Sequence, residues 1–290
     1  MTENRAFIKW GAFILLCIIW GSSFILMKWS KQGLTGSQIA SVRILSAGIV
    51  FLPFALFHIF KIPARKLLLV IITAITGNLL PAYLYAEAIA KNTDSSLAGI
   101  LNSVTPIFVV LIGYWVFKLK VKPAQITGVI IGFLGLCLLT LSKNGIGFSN
   151  YKYALLIVLA TVLYGFNVNM VGQYLGDIKP LYVATVSIAF MIIPTAFVLW
   201  QQHFLQLAFD EPEVQQALLA SSILGVVGSA IATVLFYILV KNAGALFASL
   251  VTYGIPFISL VWGIIDGEQV TLINILCLLV ILSGVYLARK

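Results

Sequence analysis

Residues 124–142 read AQITGVIIGFLGLCLLTLS, a run without one Asp, Glu, Lys or Arg. An α-helix needs about 20 predominantly apolar residues to cross the hydrocarbon core of a bilayer, and this run has that length. The stretch therefore predicts a membrane-spanning helix, and it sets the expectation for the rest of the chain.

Apolar runs of similar length follow one another along the whole sequence. Of 290 residues, 61% are hydrophobic and 9% are charged, with a mean hydropathy of +1.07, whereas soluble domains carry about 25% charged residues. Dividing the chain at charged and turn-forming stretches predicts ten spans. Their limits are 10–28, 38–59, 67–90, 95–117, 124–142, 153–171, 181–201, 217–240, 244–265 and 271–288. The predicted fold class is an all-α integral membrane protein with ten transmembrane helices.

Basic residues are distributed unequally between the two sides of the predicted membrane. With the amino terminus inside, 12 of the 18 Lys and Arg residues fall in inner segments and 5 in outer ones, while Arg43 lies within a span. Cytoplasmic loops carry such an excess, so both termini of this multi-pass protein of the cell membrane are expected to be cytoplasmic. The loop near 202–216 is then expected on the external side. The net charge of +9 is then a topology signal, and no nucleic-acid partner is expected.

The two halves of the chain resemble each other. At an offset of 150, Pro106 matches Pro256, and near an offset of 144, Trp20 matches Tyr164, in the same order along both halves. Five spans is an odd number, so the second copy would enter the membrane from the opposite side. The sequence therefore predicts two inverted five-helix repeats, 1–146 and 147–290, around a central cavity, an arrangement typical of alternating-access transporters.

Four segments now carry a family resemblance: WGSSF at 20–24, LAGILNSVTPIF at 97–108, GVIIGFLGLCLL at 128–139 and GEQVTLINILCLLVILSGVYLAR at 267–289. The chain resembles the EamA-type ten-helix members of the drug/metabolite transporter superfamily over nearly its whole length. The resemblance implies export or exchange of amino acids, related metabolites or drugs through a cavity lined mainly by helices 1, 3, 4, 6, 8 and 9. Lys118-Leu119 replaces the Gly-Glu pair that this family usually shows in the first repeat.

Polar and aromatic side chains inside the spans are the predicted lining of that cavity, because polar groups avoid lipid. Interhelical hydrogen bonding is the alternative role of each. The predicted substrate-cavity residues are Trp20, Ser23, Asn78, Tyr83, Tyr85, Asn102, Tyr164, Asn167, Ser229, Thr233, Thr252 and Tyr253.

Two ionisable residues also lie within predicted spans. Arg43 is a few residues into the second span, near the predicted outer surface, where it either snorkels and contacts carbonyl groups or binds an anionic group. Glu87 is near the outer end of the third span, four residues before Lys91. It either pairs with Lys91 at the headgroups or couples transport to protons.

Other function classes fit the sequence less well. A membrane enzyme needs a nucleophile with its base or a metal cluster, but His58 and His203 lie near span ends and no HExxH or GxSxG motif occurs. No filter loop indicates a channel and no P-loop indicates a pump, so no cofactor or metal is expected. A secondary transporter of amino acids or related metabolites is the predicted function. A carrier of drugs or sugar phosphates is the alternative, although one intramembrane arginine is few for a substrate with about two negative charges. The sequence leaves direction, proton coupling and the choice between monomer and homodimer open.

Overall fold

The computed structural model describes residues 2–91, 98, 101–102, 104–141, 151–265 and 272–288, and within these ranges the regular structure is helical. The described helices are α1 (Thr2–Ser30), α2 (Gly36–His58), α3 (Ala64–Ala90), α4 (Thr105–Trp115), α5 (Pro123–Leu141), α6 (Tyr151–Tyr174), α7 (Pro180–Gln201), α8 (Pro212–Ala243), α9 (Ala245–Ser249 continued by Val251–Ile265) and α10 (Leu272–Ala288). Each of them falls on one predicted span. The first part of the fourth predicted span lies outside the described residues.

The surface of the helices is apolar. Six of the described helices are long and apolar enough to cross a bilayer on their own, namely Lys9–Ser30, Gly36–Lys61, Ala64–Ala90, Leu155–Tyr174, Pro180–Gln201 and Pro212–Ala243. Large side chains such as Phe57 and Ile193 are 74% and 80% exposed, which a water-soluble protein rarely tolerates over a wide area. The prediction of an all-α membrane protein is therefore confirmed.

Irregular turns interrupt spans that the sequence predicted as continuous. Helix α3 contains a π-turn at Ile75–Leu79, and α8 contains one at Val226–Ile231. Helix α7 is broken at Met191. Helix α8 also begins earlier than predicted, because Pro212 occupies the first turn, where its missing N–H costs nothing. The loop predicted at 202–216 is shorter for that reason.

Helix packing follows the same plan in both halves. Helix α3 packs on α6 as α8 packs on α1, and α4 packs on α6 as α9 packs on α1. Helix α2 packs on α7, and α5 on α10, so each of these two pairs joins helices five positions apart. Two related halves would produce such equivalent helix pairs. The inverted orientation of the repeats stays a prediction.

The glycine face of α5 packs inside the protomer. A methyl group at Gly284 of α10 would overlap the backbone of Gly132 and Gly128, so α5 and α10 touch backbone to backbone. The ring of Tyr253 from α9 lies against Gly132, and its hydroxyl donates to the carbonyl oxygen of Val129 at 2.8 Å. The sequence alone did not decide between packing within one chain and packing against a second copy, and this contact accounts for the glycines within one chain.

Candidate functional site: a central cavity between the two halves

A central cavity lies between α1, α2, α3, α6, α8 and α9 and the residues at the start of α4. Its volume is about 110 Å³ when measured as the space open to the centres of water molecules, whereas one water needs roughly 10–15 Å³ by that measure. The cavity therefore holds several waters or part of a small organic solute. It is lined by Trp20, Ser23, Phe24, Met27, Arg43, Gly77, Asn78, Tyr85, Asn102, Thr105, Tyr164, Asn167, Val168, Gly228, Thr233, Phe236, Tyr237, Ser249, Thr252 and Ile255.

Nine of the twelve predicted cavity residues lie in this lining. They are Trp20, Ser23, Asn78, Tyr85, Asn102, Tyr164, Asn167, Thr233 and Thr252. The structure brings them together from both halves of the chain, on the helices that the family resemblance implied. Their contact with a substrate stays a prediction.

The other three predicted residues are not among those that line this cavity. Tyr83 faces α2 instead, where its hydroxyl bonds to that of Ser41 at 2.5 Å. The hydroxyl of Ser229 accepts a hydrogen bond from Arg43, and the hydroxyl of Tyr253 donates to α5. In each case a polar group on a neighbouring helix draws the side chain out of the lining, which is the interhelical role that the sequence left open.

An aromatic pair from α1 and α8 forms one wall. The rings of Trp20 and Phe236 lie 5.2 Å apart between centroids, and the indole N–H of Trp20 donates to the carbonyl oxygen of Gly228 at 3.1 Å. Gly228 belongs to the π-turn of α8, and such turns take carbonyl groups out of the regular helical ladder. The π-turn therefore anchors the indole at the cavity.

A second aromatic pair faces the cavity from α3 and α6. The rings of Tyr85 and Tyr164 are stacked at 6.3 Å, and the hydroxyl of Tyr85 donates to the side-chain oxygen of Asn102 at 2.8 Å. The hydroxyl of Thr105 in turn donates to the Asn102 carbonyl at 2.5 Å. The bond from Tyr85 orients the side-chain amide of Asn102, whereas Thr105 binds the backbone of that residue.

Three polar atoms in the cavity wall have unused hydrogen-bonding capacity. Among the described residues, the side-chain nitrogen of Asn78, the side-chain oxygen of Asn167 and the hydroxyl of Tyr237 are buried without a hydrogen-bond partner. The hydroxyl of Tyr237 faces both amides but does not reach bonding geometry with either. Thr233 donates to the other side-chain atom of Asn78 at 3.3 Å. Because buried polar groups are nearly always satisfied, small movements of these side chains would let the three atoms bond to one another or to a solute that enters the cavity.

Arg43 lies in the cavity wall. Its Nε donates to the hydroxyl of Ser229 in the π-turn of α8 at 2.7 Å. Helices α2 and α8 approach closely at this point. A methyl group added at Gly225 of α8 would overlap the carbonyl oxygen of Arg43 and the hydroxyl of Ser46 in α2. The contact joins a helix of the first half to a helix of the second.

Glu87 lies outside the lining. Its carboxylate sits beside the first turn of α2, where a methyl group built on Gly36 would be 2.8 Å from Oε2. The amino-terminal end of a helix carries a partial positive charge that favours a carboxylate. This position supplies a structural role for Glu87 that the sequence did not indicate.

Sequence reasoning missed several lining residues, and two of them carried a signal. Tyr237 stands four residues after Thr233, hence on the same helical face. Phe236 is 151 positions after Tyr85, the offset that also relates the two π-turns at Gly77 and Gly228. An alignment of the halves at that offset would have pointed to Phe236.

Polar contacts hold the α6–α7 loop near the ends of α3, α6 and α8, and those of Lys66 join the two halves. The amine of Lys66 donates to the carboxylate of Asp177 and to the carbonyl oxygen of Tyr174, at 2.5 and 2.8 Å. This hydrogen bond holds the pKa of Asp177 below its usual range. Lys241 donates to the carbonyl oxygen of Ile178 at 3.2 Å. These contacts tie the α6–α7 loop to α3 and α8.

Fold and cavity together define a class: a multi-pass α-helical membrane protein with a cavity at its centre, as membrane transporters have. The model of the EamA-like transporter family matches residues 9–141 and again residues 151–289. The chain therefore belongs to the EamA-like transporter family, within the drug/metabolite transporter superfamily, and is a transporter rather than an enzyme.

Known relatives agree with this assignment. Proteins of three Escherichia coli strains named "Uncharacterized inner membrane transporter YedA" are 28% identical to this chain over 284 residues, covering 96% of this chain and 89% of theirs. A solved crystal structure is similar with a TM-score of 0.74 and 18% identity, covering 99% of this chain and 96% of the other. A likeness at that identity shows the fold alone.

Proposed function

We propose that the protein is a secondary transporter that exports or exchanges a small organic solute, such as an amino acid or a related metabolite, across the cytoplasmic membrane. The observation that carries the proposal is the cavity between the halves, where aromatic walls face buried polar atoms without partners. Solute sites are typically apolar with a few placed polar groups. The relatives are named as inner membrane transporters, which supports the proposed location in the cytoplasmic membrane.

Alternating access is the proposed mechanism. If the two halves are inverted copies, rocking of one against the other exposes the cavity first to one side and then to the other. The contact of Lys66 with Asp177 would then close one side. It breaks when α3 moves away from the α6–α7 loop, so it opposes opening on that side.

A metabolite comparison tests this function directly. Cells with and without the gene are compared for metabolites that accumulate inside or in the medium, and each solute that differs is then tested for counterflow in proteoliposomes containing the purified protein. We expect at least one small polar or zwitterionic solute to pass both steps. Absence of any difference, with protein present in the membrane, contradicts the proposal.

The proposed orientation predicts a labelling pattern. Gln206 and Ala64 are both exposed, in the α7–α8 loop and at the start of α3. In intact cells, a cysteine at Gln206 is expected to react with a membrane-impermeant thiol reagent, while one at Ala64 reacts only after the membrane is opened. The reverse pattern would place both termini outside.

Glu87→Gln separates proton coupling from a structural role. Because the carboxylate lies beside the first turn of α2, we expect this variant to lower stability by about 0.3–1 kcal/mol and to keep the gradient dependence of transport. Glu213→Gln, an exposed acid in the first turn of α8, is the matched control. Loss of gradient-driven uptake with intact exchange would instead assign coupling to Glu87.

A further inference from the structure

The cavity wall contains a cation without an anion. Arg43 is the one Lys, Arg or His among the described lining residues, and no described carboxylate forms an ion pair with it. Its Nε donates to the hydroxyl of Ser229, which is neutral. A guanidinium has five N–H donors, and this bond uses one of them. The positive charge of this guanidinium therefore has no negatively charged partner among the described residues.

Such a charge is unfavourable inside a membrane protein unless an anion or water solvates it. Arginine does not escape this cost by losing its proton, because its guanidinium stays charged under all ordinary conditions. The cavity that Arg43 lines is the space from which a partner reaches it. An anion entering from water would therefore gain a strong, poorly screened interaction.

We propose that Arg43 binds the carboxylate of a small monoanionic solute whose apolar body packs on the aromatic walls; this rests on the proposed transport function and names its substrate class. The planar guanidinium fits a carboxylate through two parallel hydrogen bonds. The π-turn of α8 places Arg43 beside the aromatic walls. In this turn the carbonyl oxygen of Gly228 accepts a hydrogen bond from Trp20, and the hydroxyl of the next residue, Ser229, accepts one from Arg43. Tyr164 is within electrostatic reach of the same guanidinium.

The rest of the lining selects a single negative charge. The atoms of Asn78, Asn167 and Tyr237 that lack partners are neutral donors and acceptors. They suit an amino, hydroxyl or amide group of the solute, and they offer no compensation for a second anionic charge. A monocarboxylate, including a zwitterionic amino acid, matches this set, whereas a phosphate ester with about two charges would leave one of them unpaired.

Matched pairs of probes test the proposal on the purified full-length protein in neutral detergent. Benzoate is compared with benzamide, and L-phenylalanine with L-phenylalaninamide, because each pair differs at the carboxylate and keeps the aromatic body. Binding is measured by isothermal titration for the parent and for Arg43→Gln, Arg43→Lys and Ser229→Ala. Arg65→Gln, which removes an exposed arginine at the start of α3, is the control.

We expect at least one carboxylate to bind about tenfold or more tightly than its amide. Arg43→Gln removes that preference, while Arg43→Lys, which keeps the charge, retains part of it and guards against a failure of the Gln variant to fold. Ser229→Ala, which removes the hydroxyl that holds Nε of Arg43, lowers the preference, whereas Arg65→Gln retains it.

Equal binding of carboxylates and amides to the parent, binding of neither, or a preference that survives Arg43→Gln would overturn the anion site. The proposed function is judged separately, because counterflow of the metabolites found in cells does not depend on these probes. If the protein transports a neutral solute and shows no preference for carboxylates, the proposed transport function stands and the proposed role of Arg43 is rejected.

Discussion

Replacing Trp20 with alanine is expected to lower solute transport about tenfold or more while the protein is still made and inserted. The indole is half-buried against Phe236 and is anchored to Gly228, so it forms a rigid aromatic surface beside the space that a solute would fill. Aromatic contacts of this kind dominate small-molecule sites. Removing the ring enlarges the cavity and takes away the surface on which the solute would pack.

Tyr164→Ala is expected to have a similar effect from the opposite half, because its ring stacks on Tyr85 and lines the cavity. Both variants are compared with Trp200→Ala, which removes a tryptophan that is 69% exposed on the outside of α7. Counterflow is measured per amount of folded protein, judged by gel filtration in detergent. Parent rates and affinities in both cavity variants would show that these rings do not contact the solute.

Hydropathy was sufficient to predict the helices, because each span must satisfy its backbone within itself. It was not sufficient for the π-turns at Ile75–Leu79 and Val226–Ile231, since the Gly, Ser, Thr and Asn residues in these segments are also compatible with a regular membrane helix. A π-turn changes the direction of the following side chains, and its stability depends on contacts such as Trp20 with Gly228. Those contacts come from distant parts of the chain and leave no local pattern.

The differences between the predicted and the observed lining have a geometric cause. Thr252 and Tyr253 follow each other on one helix, so their side chains point about 100° apart, and Thr252 lines the cavity while Tyr253 turns to α5. Tyr83 and Tyr85 differ by about 200° and face different neighbours for the same reason. The helical period predicts which residues share a face. It does not predict which face meets the cavity, because that depends on the rotation of each helix against the others.

The direction of the Arg43 side chain was likewise not predictable from the sequence. It stands seven residues after Gly36, the first residue of α2, or about 10 Å along the helix. From the sequence, this side chain either extends to the headgroups and contacts carbonyl groups or binds an anionic group. The structure turns it inward, where the close crossing of α2 and α8 brings Ser229 within hydrogen-bonding distance. The crossing itself depends on Gly225, whose role is visible only once both helices are placed.

Gly225→Ala is expected to destabilise the protein by about 1–3 kcal/mol, the usual cost of overpacking a tight contact, and to impair transport by the protein that folds. The added methyl group would overlap the carbonyl oxygen of Arg43 and the hydroxyl of Ser46. The carbonyl belongs to the backbone of α2, so α2 must shift as a whole. That shift would also lengthen the bond between Arg43 and Ser229 and alter the cavity wall.

Gly172→Ala is the matched control, because its methyl group would meet Val240 and Ala245 at the ordinary contact distances of 3.5 and 3.7 Å. Thermal unfolding in detergent and counterflow per folded protein are measured for both variants. We expect Gly172→Ala to match the parent and Gly225→Ala to unfold at a lower temperature with reduced counterflow. If Gly225→Ala unfolds and transports as the parent does, α2 and α8 do not cross as closely as the structure places them, and the position of Arg43 in the cavity wall falls with that contact.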